Sequence, residues 1–120
     1  MDKLLTQIGK PYEMFFPDGN YQGCFYPVYF LYPHLPHYPL PSNDHSKNYR
    51  YGINLIAKHF DRIKKEELQK GDLITTMFND ELHVAIYLEH QKIIHVFRGH
   101  ELQLGRLKMF KEYLCFRVKK

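Results

Sequence analysis

The chain has 120 residues, which is enough for one domain with a hydrophobic core of its own. Hydrophobic residues make up 44% and charged residues 25%, as in an ordinary globular protein, while the aromatic share of 16% is high. The net charge of +4 comes from basic residues spread along the chain, so it predicts weak attraction to anionic surfaces and no dedicated nucleic-acid site.

Targeting signals and the number of cysteines restrict the expected cellular compartment and the disulfide content. The first residues lack the basic region, the long apolar run and the cleavage site of a signal peptide, and no apolar run reaches the length that spans a bilayer. We therefore expect synthesis in the cytoplasm, no membrane span, and a separate delivery route for any action elsewhere. The two cysteines, Cys24 and Cys115, are too few for a disulfide scaffold, although one bridge between them is possible.

The N-terminal part is predicted as a short helix and a loop. The helix covers residues 2–8, and Gly9 ends it. The loop over residues 11–22 contains a turn signal at Pro17-Asp18-Gly19-Asn20. Its aromatic side chains either wall a cleft or cover the edge of the core, and the sequence leaves both interpretations open.

An almost wholly apolar stretch follows from Gly23 to Tyr32. We predict a buried central helix, in which Pro27 is tolerated only within the first turn, so that Cys24 lies at the N-cap or one residue from it. Backbone N–H groups and the positive end of a helix dipole stabilise a thiolate there, which predicts a lowered pKa for the Cys24 thiol. The alternative is a strand, against which Pro27 argues.

Residues 33–43 are rich in proline and are predicted as an extended surface loop. His34 and His37 lie in this loop, and His45 follows it. Three histidines allow a metal site as one interpretation, but a proline-rich loop without a nearby cysteine favours solvated histidines. We therefore expect no metal here.

The second half begins with a helix and then changes to strands. The helix is predicted over residues 46–60, with four residues at helical spacing as its packing face: Tyr49, Ile53, Ile56 and Phe60. The elements predicted after it are a charged connector over 63–70, strands over 73–78 and 101–104, a short helix over 106–111 and a final strand over 113–118. Cys115 in that strand is predicted to be a structural thiol. Helices before a sheet predict a single α+β domain over residues 1–120.

The stretch from Asp80 to Phe97 is predicted as a β-hairpin. Apolar residues alternate along its first half, Glu89-His90-Gln91 turns the chain, and Lys92 to Phe97 runs back. His83 lies on the first strand and His95 on the second. Because these strands pair, the two imidazoles are expected to meet on one face of the sheet.

Cys24, His83 and His95 together have the composition of a cysteine nucleophile system. In such a system His83 takes the thiol proton and returns it to a leaving amine, while His95 fixes its tautomer and tilt. The Cys24 backbone N–H would hold an oxyanion, with Tyr12 or Tyr21 as a further donor. From the residues alone, a buried structural cysteine with satisfied histidines and a Cys-His-His metal site remain alternatives.

Five short motifs occur in a fixed order: I-G-K-P-Y at 8–12, G-C at 23–24, G-D-L-I at 71–74, H-V-A-I-Y-L at 83–88 and I-I-H at 93–95. In this order they resemble the NlpC family of papain-like cell-wall cysteine peptidases, and the resemblance spans residues 8–117. It implies an α+β papain-like core, with N-terminal helices packed on an antiparallel sheet. The proline loop and the tail over 107–117 resemble the compact versions found in bacteriophage tails.

The resemblance implies that Cys24 is the nucleophile, His83 the base and His95 the orienting residue. The implied substrates are peptide bonds of peptidoglycan stem peptides, without a metal or organic cofactor. A phage tail or a delivered effector is the implied setting, so other tail proteins are further expected partners. Gly23 and Phe25 depart from the family, which usually has Asp before the cysteine and Ser or Trp after it. The alternative is therefore a catalytically inactive papain-like subunit, for example in tail assembly.

Overall fold

The computed structural model describes residues 1–10, 23–37, 45–78, 81–96 and 101–120. The helices of these ranges are α1 (Asp2–Leu5), α2 (Tyr26–Leu31) and α3 (His45–His59), and the strands are β1 (Phe60–Ile63), β2 (Leu73–Phe78), β3 (Glu81–Tyr87), β4 (Lys92–His95), β5 (Gln103–Arg106) and β6 (Leu114–Val118). Single 3₁₀ turns lie at Gly23–Phe25, Lys65–Glu67 and Leu107–Met109. Among these helices, none is both long and apolar enough to cross a bilayer. The predicted α+β class is confirmed.

The six strands form one antiparallel sheet in the order β1-β6-β2-β3-β4-β5. The sequence did not predict β1, whose residues were assigned to the end of a helix and to a connector. Phe60 pairs with Val118 and Ile63 with Cys115, so β1 is held by the last strand of the chain. A four-residue strand carries little periodicity of its own, and its partner is distant in sequence, which is why local pattern did not reveal it.

The predicted hairpin is present as β3 and β4. Lys92 N–H donates to the Glu89 carbonyl at 3.1 Å and closes a four-residue turn. His90 and Gln91 at its centre have φ values of 54° and 65°, the positive values of a type I′ turn, whose twist matches that of the paired strands. The Leu88 N–H also donates to the Lys92 carbonyl at 3.0 Å, so residues 89–91 form the loop between the paired strands, and Tyr87 lies opposite Ile93.

Each face of the sheet covers its own apolar cluster, because side chains alternate along each strand. On one face, Val84 of β3 belongs to the same buried cluster as Val28 of α2. On the other face, Ala85 packs with Phe110 and Cys115. Cys115 is 1% exposed, and both cysteines are free thiols, so the possible disulfide bridge is not formed.

The predicted packing face of α3 was wrong in part. Ile56 and Phe60 are buried as predicted, but Tyr49 is 43% exposed and Ile53 is 37% exposed. Gly52 and Leu55 are buried beside Ile56 instead. Two adjacent stripes of α3 carry apolar residues at helical spacing, and periodicity alone does not select between them.

The G-D-L-I motif forms a junction at the start of β2. Gly71 has φ of +97°, a conformation that favours glycine, and its carbonyl accepts a hydrogen bond from the Tyr32 hydroxyl at 2.7 Å. Asp72 is 4% exposed and accepts from Arg117 Nε at 3.0 Å and Nη2 at 2.8 Å. The Gln69 N–H donates to the same carboxylate at 2.8 Å. These bonds join the start of β2 to the C-cap residue of α2 and to β6.

Candidate active site

Cys24 lies in the 3₁₀ turn that leads into α2. Phe25 is the N-cap of α2, and Pro27 lies within the first two helical positions, where its missing N–H costs nothing. Cys24 therefore precedes the N-cap by one residue, which is one of the two placements that the sequence predicted. Gly23 opens the turn with φ of +47°, in the left-handed region.

The Cys24 sulfur is directed at the main chain of β3. The thiol donates to the Leu82 carbonyl at 3.7 Å, and the Val84 N–H donates to the sulfur. The Leu82 carbonyl and the Val84 N–H lie on the edge of β3 that faces β4. The pairing of β3 with β4 covers Ile86 and Tyr87 and does not extend to these two groups. The sulfur thus lies at the edge of β3, between the residues that flank His83.

His83 and His95 are in direct contact. His83 Nε2 lies 2.9 Å from His95 Nδ1, and the rings meet edge to face with centroids 5.2 Å apart. Their residues are 6% and 1% exposed. The expected meeting of two imidazoles on one sheet face is therefore observed, and it follows from the hairpin register.

Residues 24–118 match the NlpC/P60 family. The chain belongs to the NlpC/P60 family. The match begins at Cys24 itself and includes both histidines, whereas the I-G-K-P-Y motif lies before it. Proteins of this family are in general cysteine hydrolases of the cell wall.

A solved structure of an NLP/P60-family, lipoprotein-like protein from Staphylococcus aureus superposes on this chain with a TM-score of 0.59 and 26% sequence identity. The alignment covers 100% of this chain and 40% of the other, so this NlpC/P60 domain spans less than half of that protein. No curated protein matched the chain. The structural likeness confirms the papain-like α+β fold.

Burial sets the protonation of the Cys24 thiol in this NlpC/P60 domain. Desolvation raises its pKa to about 11, although the Val84 N–H acts in the opposite direction, and the nearby Glu81 carboxylate raises it slightly further. The lowered pKa that the sequence predicted is therefore contradicted. α2 has only six residues, and its N-terminus does not outweigh the apolar surroundings of the sulfur.

Burial also keeps the two histidines neutral. Desolvation lowers the pKa of each imidazole to about 4, and the neighbouring His95 contributes to the shift at His83. Phe110 packs edge-on against both rings, with centroids 5.7 Å from His83 and 6.2 Å from His95. The sequence did not single out Phe110, because its place behind the histidines depends on the path from β5 to β6.

Cys24, His83 and His95 lie in one region of the structure, and the two histidines are in contact with each other. In the described part of the chain, the hydrogen bonds of the Cys24 sulfur go to main-chain groups beside His83 rather than to its ring. The thiol hydrogen is therefore directed at the Leu82 carbonyl and not at the His83 ring. Tyr12 and Tyr21 lie outside the described residues, and their role in oxyanion or substrate binding stays a prediction.

The metal-site interpretations find no support in the described ranges. His34 and His37 are exposed, and no group of three or more His, Cys, Asp or Glu side chains in those ranges is arranged to hold a metal ion. The side chain of His45 falls outside the description. The interpretation of Cys24 and its two histidines as a nucleophile system stays a prediction.

The raised thiol pKa predicts slow alkylation of Cys24 at neutral pH. At pH 7.5 we expect iodoacetamide to react on the order of 10²-fold more slowly than with a free thiol of pKa about 8.5, because only the thiolate reacts. The rate should rise with pH through the whole range up to about 11. The measurement is the alkylation rate against pH by intact-protein mass spectrometry, with Cys24→Ala used to subtract Cys115. A plateau reached below pH 8.5 would contradict this assignment.

Proposed function

We propose that this domain is a cysteine endopeptidase or amidase that hydrolyses peptide bonds of peptidoglycan stem peptides. The observation that carries the proposal is the 2.9 Å contact between the buried imidazoles of His83 and His95, beside the main chain that holds the Cys24 sulfur. Membership of a family of cell-wall cysteine hydrolases supports the substrate class. Cys24 is proposed as the nucleophile, His83 as the base and His95 as the orienting residue.

The contact between the histidines assigns their tautomers in the proposed reaction. For His83 to accept the thiol proton at Nδ1, its Nε2 must carry a proton and donate to His95 Nδ1. His95 then carries its own proton at Nε2. Since both pKa values are lowered to about 4, both rings are neutral at pH 7, and His83 is in the form that accepts a proton.

The chemistry then proceeds in two halves. As the thiol proton moves to His83, the sulfur bonds to the carbonyl carbon of the substrate, and the Cys24 N–H stabilises the oxyanion. The C–N bond breaks as His83 passes the proton to the leaving amine, which gives a thioester. Water attacks the thioester, loses a proton to His83 and releases the carboxylic acid, and the returned proton regenerates the thiol.

A neutral thiol beside a neutral imidazole differs from a resting ion pair. With the thiol pKa near 11 and the His83 pKa near 4, the two groups do not exchange a proton at rest. Transfer becomes favourable only together with attack on a bound carbonyl. The protonated thiol is thereby protected from alkylation and oxidation until substrate is present.

Purified peptidoglycan tests the proposal directly. We expect the wild-type protein to release new amino and carboxyl termini from stem peptides, detected by mass spectrometry of the soluble fragments. His83→Ala should lower kcat/KM by roughly 10²–10⁴-fold, the usual contribution of a general base. His34→Ala, which removes an exposed loop histidine, should leave activity unchanged.

The pH dependence of the same assay gives a second readout. His83 loses its base form as the pH falls through about 4, so kcat/KM should stay nearly constant from neutral pH down to about 5 and decline below that. Absence of cleavage with peptidoglycans of several stem compositions would contradict the proposal and favour the inactive-subunit alternative. A location in a phage tail or a delivered effector stays a prediction.

A further inference from the structure

We infer that Gly105 is a positioning residue, whose missing side chain allows the His95 imidazole to lie across β5 in the orientation that reaches His83. The inference rests on the proposed function, because it concerns the geometry of the same site. It adds a residue that lies in none of the five sequence motifs.

The strand register brings Gly105 under His95. His95 pairs with Gln103, and Ile93 pairs with Gly105, so all four residues lie on one face of the sheet. Gly105 is therefore the diagonal cross-strand neighbour of His95, a separation that an aromatic ring can bridge. The His95 ring leans along this diagonal rather than standing over Gln103.

The space over Gly105 is already occupied by the ring. A Cβ built on Gly105 would lie 2.7 Å from His95 Nε2 and 3.3 Å from its Cδ2. Both atoms belong to the ring edge opposite Nδ1, the atom that contacts His83. A methyl group at Gly105 would therefore press on one edge of the imidazole and displace the other edge, where the contact with His83 is made.

Space, and not backbone conformation, is what requires glycine here. Gly105 is absent from the glycines with positive φ, which are Gly9, Gly23 and Gly71 among the described residues. The His95 ring cannot move into solvent, because the residue is 1% exposed and Phe110 packs against it with a centroid distance of 6.2 Å. The Sδ atom of Met109 also lies 3.3 Å from the position of the absent Cβ, but that flexible side chain is 43% exposed and can yield.

Gly105→Ala should therefore break the contact between His83 and His95 while the sheet remains folded. We expect kcat to fall roughly 10²-fold with little change in KM, the size of loss that a small misplacement of a catalytic group causes. Leu104→Ala is the matched control, since Leu104 is the preceding residue of β5, points to the opposite face and is 49% exposed. It should keep activity within about twofold of wild type, as expected for an exposed surface position.

A double-mutant cycle with His95→Ala separates positioning from general damage. If Gly105 acts through the His95 ring, Gly105→Ala added to His95→Ala should change kcat by less than about twofold, because the clashing ring is gone. The same cycle measured by thermal unfolding should show a lower Tm for Gly105→Ala in the wild-type background and almost none of that loss with His95→Ala. Equal losses in both backgrounds, in activity and in Tm, would overturn the inference.

Imidazole ¹⁵N NMR makes the test independent of hydrolysis. In the wild type we expect coupled shifts of His83 and His95 that mark their hydrogen bond, and loss of this coupling in Gly105→Ala but not in Leu104→Ala. If the wild type shows the coupling but cleaves no peptidoglycan, the proposed function fails while the role of Gly105 in placing His95 stands. If Gly105→Ala keeps both the coupling and the wild-type kcat, the inference is wrong.

Discussion

Cys24→Ala is expected to abolish peptidoglycan hydrolysis, with a loss on the order of 10⁴-fold or more, because no other group of the site replaces a covalent nucleophile. The fold should be retained, since Cys24 is only partly buried and its sulfur makes only weak hydrogen bonds to main-chain groups, to the Leu82 carbonyl at 3.7 Å and from the Val84 N–H. The measurement is the rate of new amino termini from purified peptidoglycan, together with the Tm of the variant. Undiminished hydrolysis would exclude Cys24 as the nucleophile.

Cys115→Ala is the matched control for this variant. Cys115 is 1% exposed and packs in the apolar cluster on the histidine face of the sheet, where Ile63 and Ile74 are its strand partners. Its removal should lower the free energy of unfolding by about 1–2 kcal/mol through lost packing and should leave the activity of folded protein unchanged. A similar loss of activity in both variants would mean that the thiols act through stability alone.

Asp72→Ala is expected to lower the free energy of unfolding by about 3–5 kcal/mol, the range seen when one partner of a buried ion pair is removed. The Asp72 carboxylate is 4% exposed and accepts two hydrogen bonds from the Arg117 guanidinium and one from the Gln69 N–H. The Arg117 side chain is 35% exposed, so water can solvate its guanidinium after Asp72 is removed. We therefore expect a loss near the lower end of this range. Urea unfolding gives the value.

Asp61→Ala provides the comparison for a carboxylate on the surface. The Asp61 side chain is 70% exposed, and its pairing with Lys119 is 3.9 Å long. Its loss should cost less than about 1 kcal/mol. At assay temperatures well below the Tm of the variant, Asp72→Ala should have the same kcat as the wild type, because Asp72 contacts none of the reacting groups. Equal destabilisation by the two variants would contradict the structural role assigned to the G-D-L-I motif.

Much of the histidine geometry could be predicted from the sequence. Alternating apolar residues define β3, and positions 89–91 separate two strands of matching pattern, so the register that brings His83 and His95 to one face follows from local chemistry. Pro27 limits the start of α2 in a similar way and thereby places Cys24. These features depend on residues close together in the chain.

Features that depend on distant contacts were not accessible in the same way. Strand β1 exists because of its pairing with β6, and the buried stripe of α3 is selected by the surface it packs against. The predicted direction of the Cys24 pKa was wrong because the sequence shows a helix start but not the apolar surroundings that desolvate the sulfur. Phe110 and Gly105 lie outside every motif, and their roles depend on contacts with His95 that only the folded chain makes.

The amino-acid sequence by itself determined the α+β class, the family and the three residues of the proposed nucleophile system, since periodicity, turn chemistry and motif order are properties of the chain. Tertiary structure alone decided the protonation states and the orientation of these groups. Burial holds the thiol of Cys24 protonated and both imidazoles neutral, and the bare backbone of Gly105 sets the tilt of His95. Desolvation and steric fit are sums over neighbours from many parts of the chain, so they become defined only when the chain is folded.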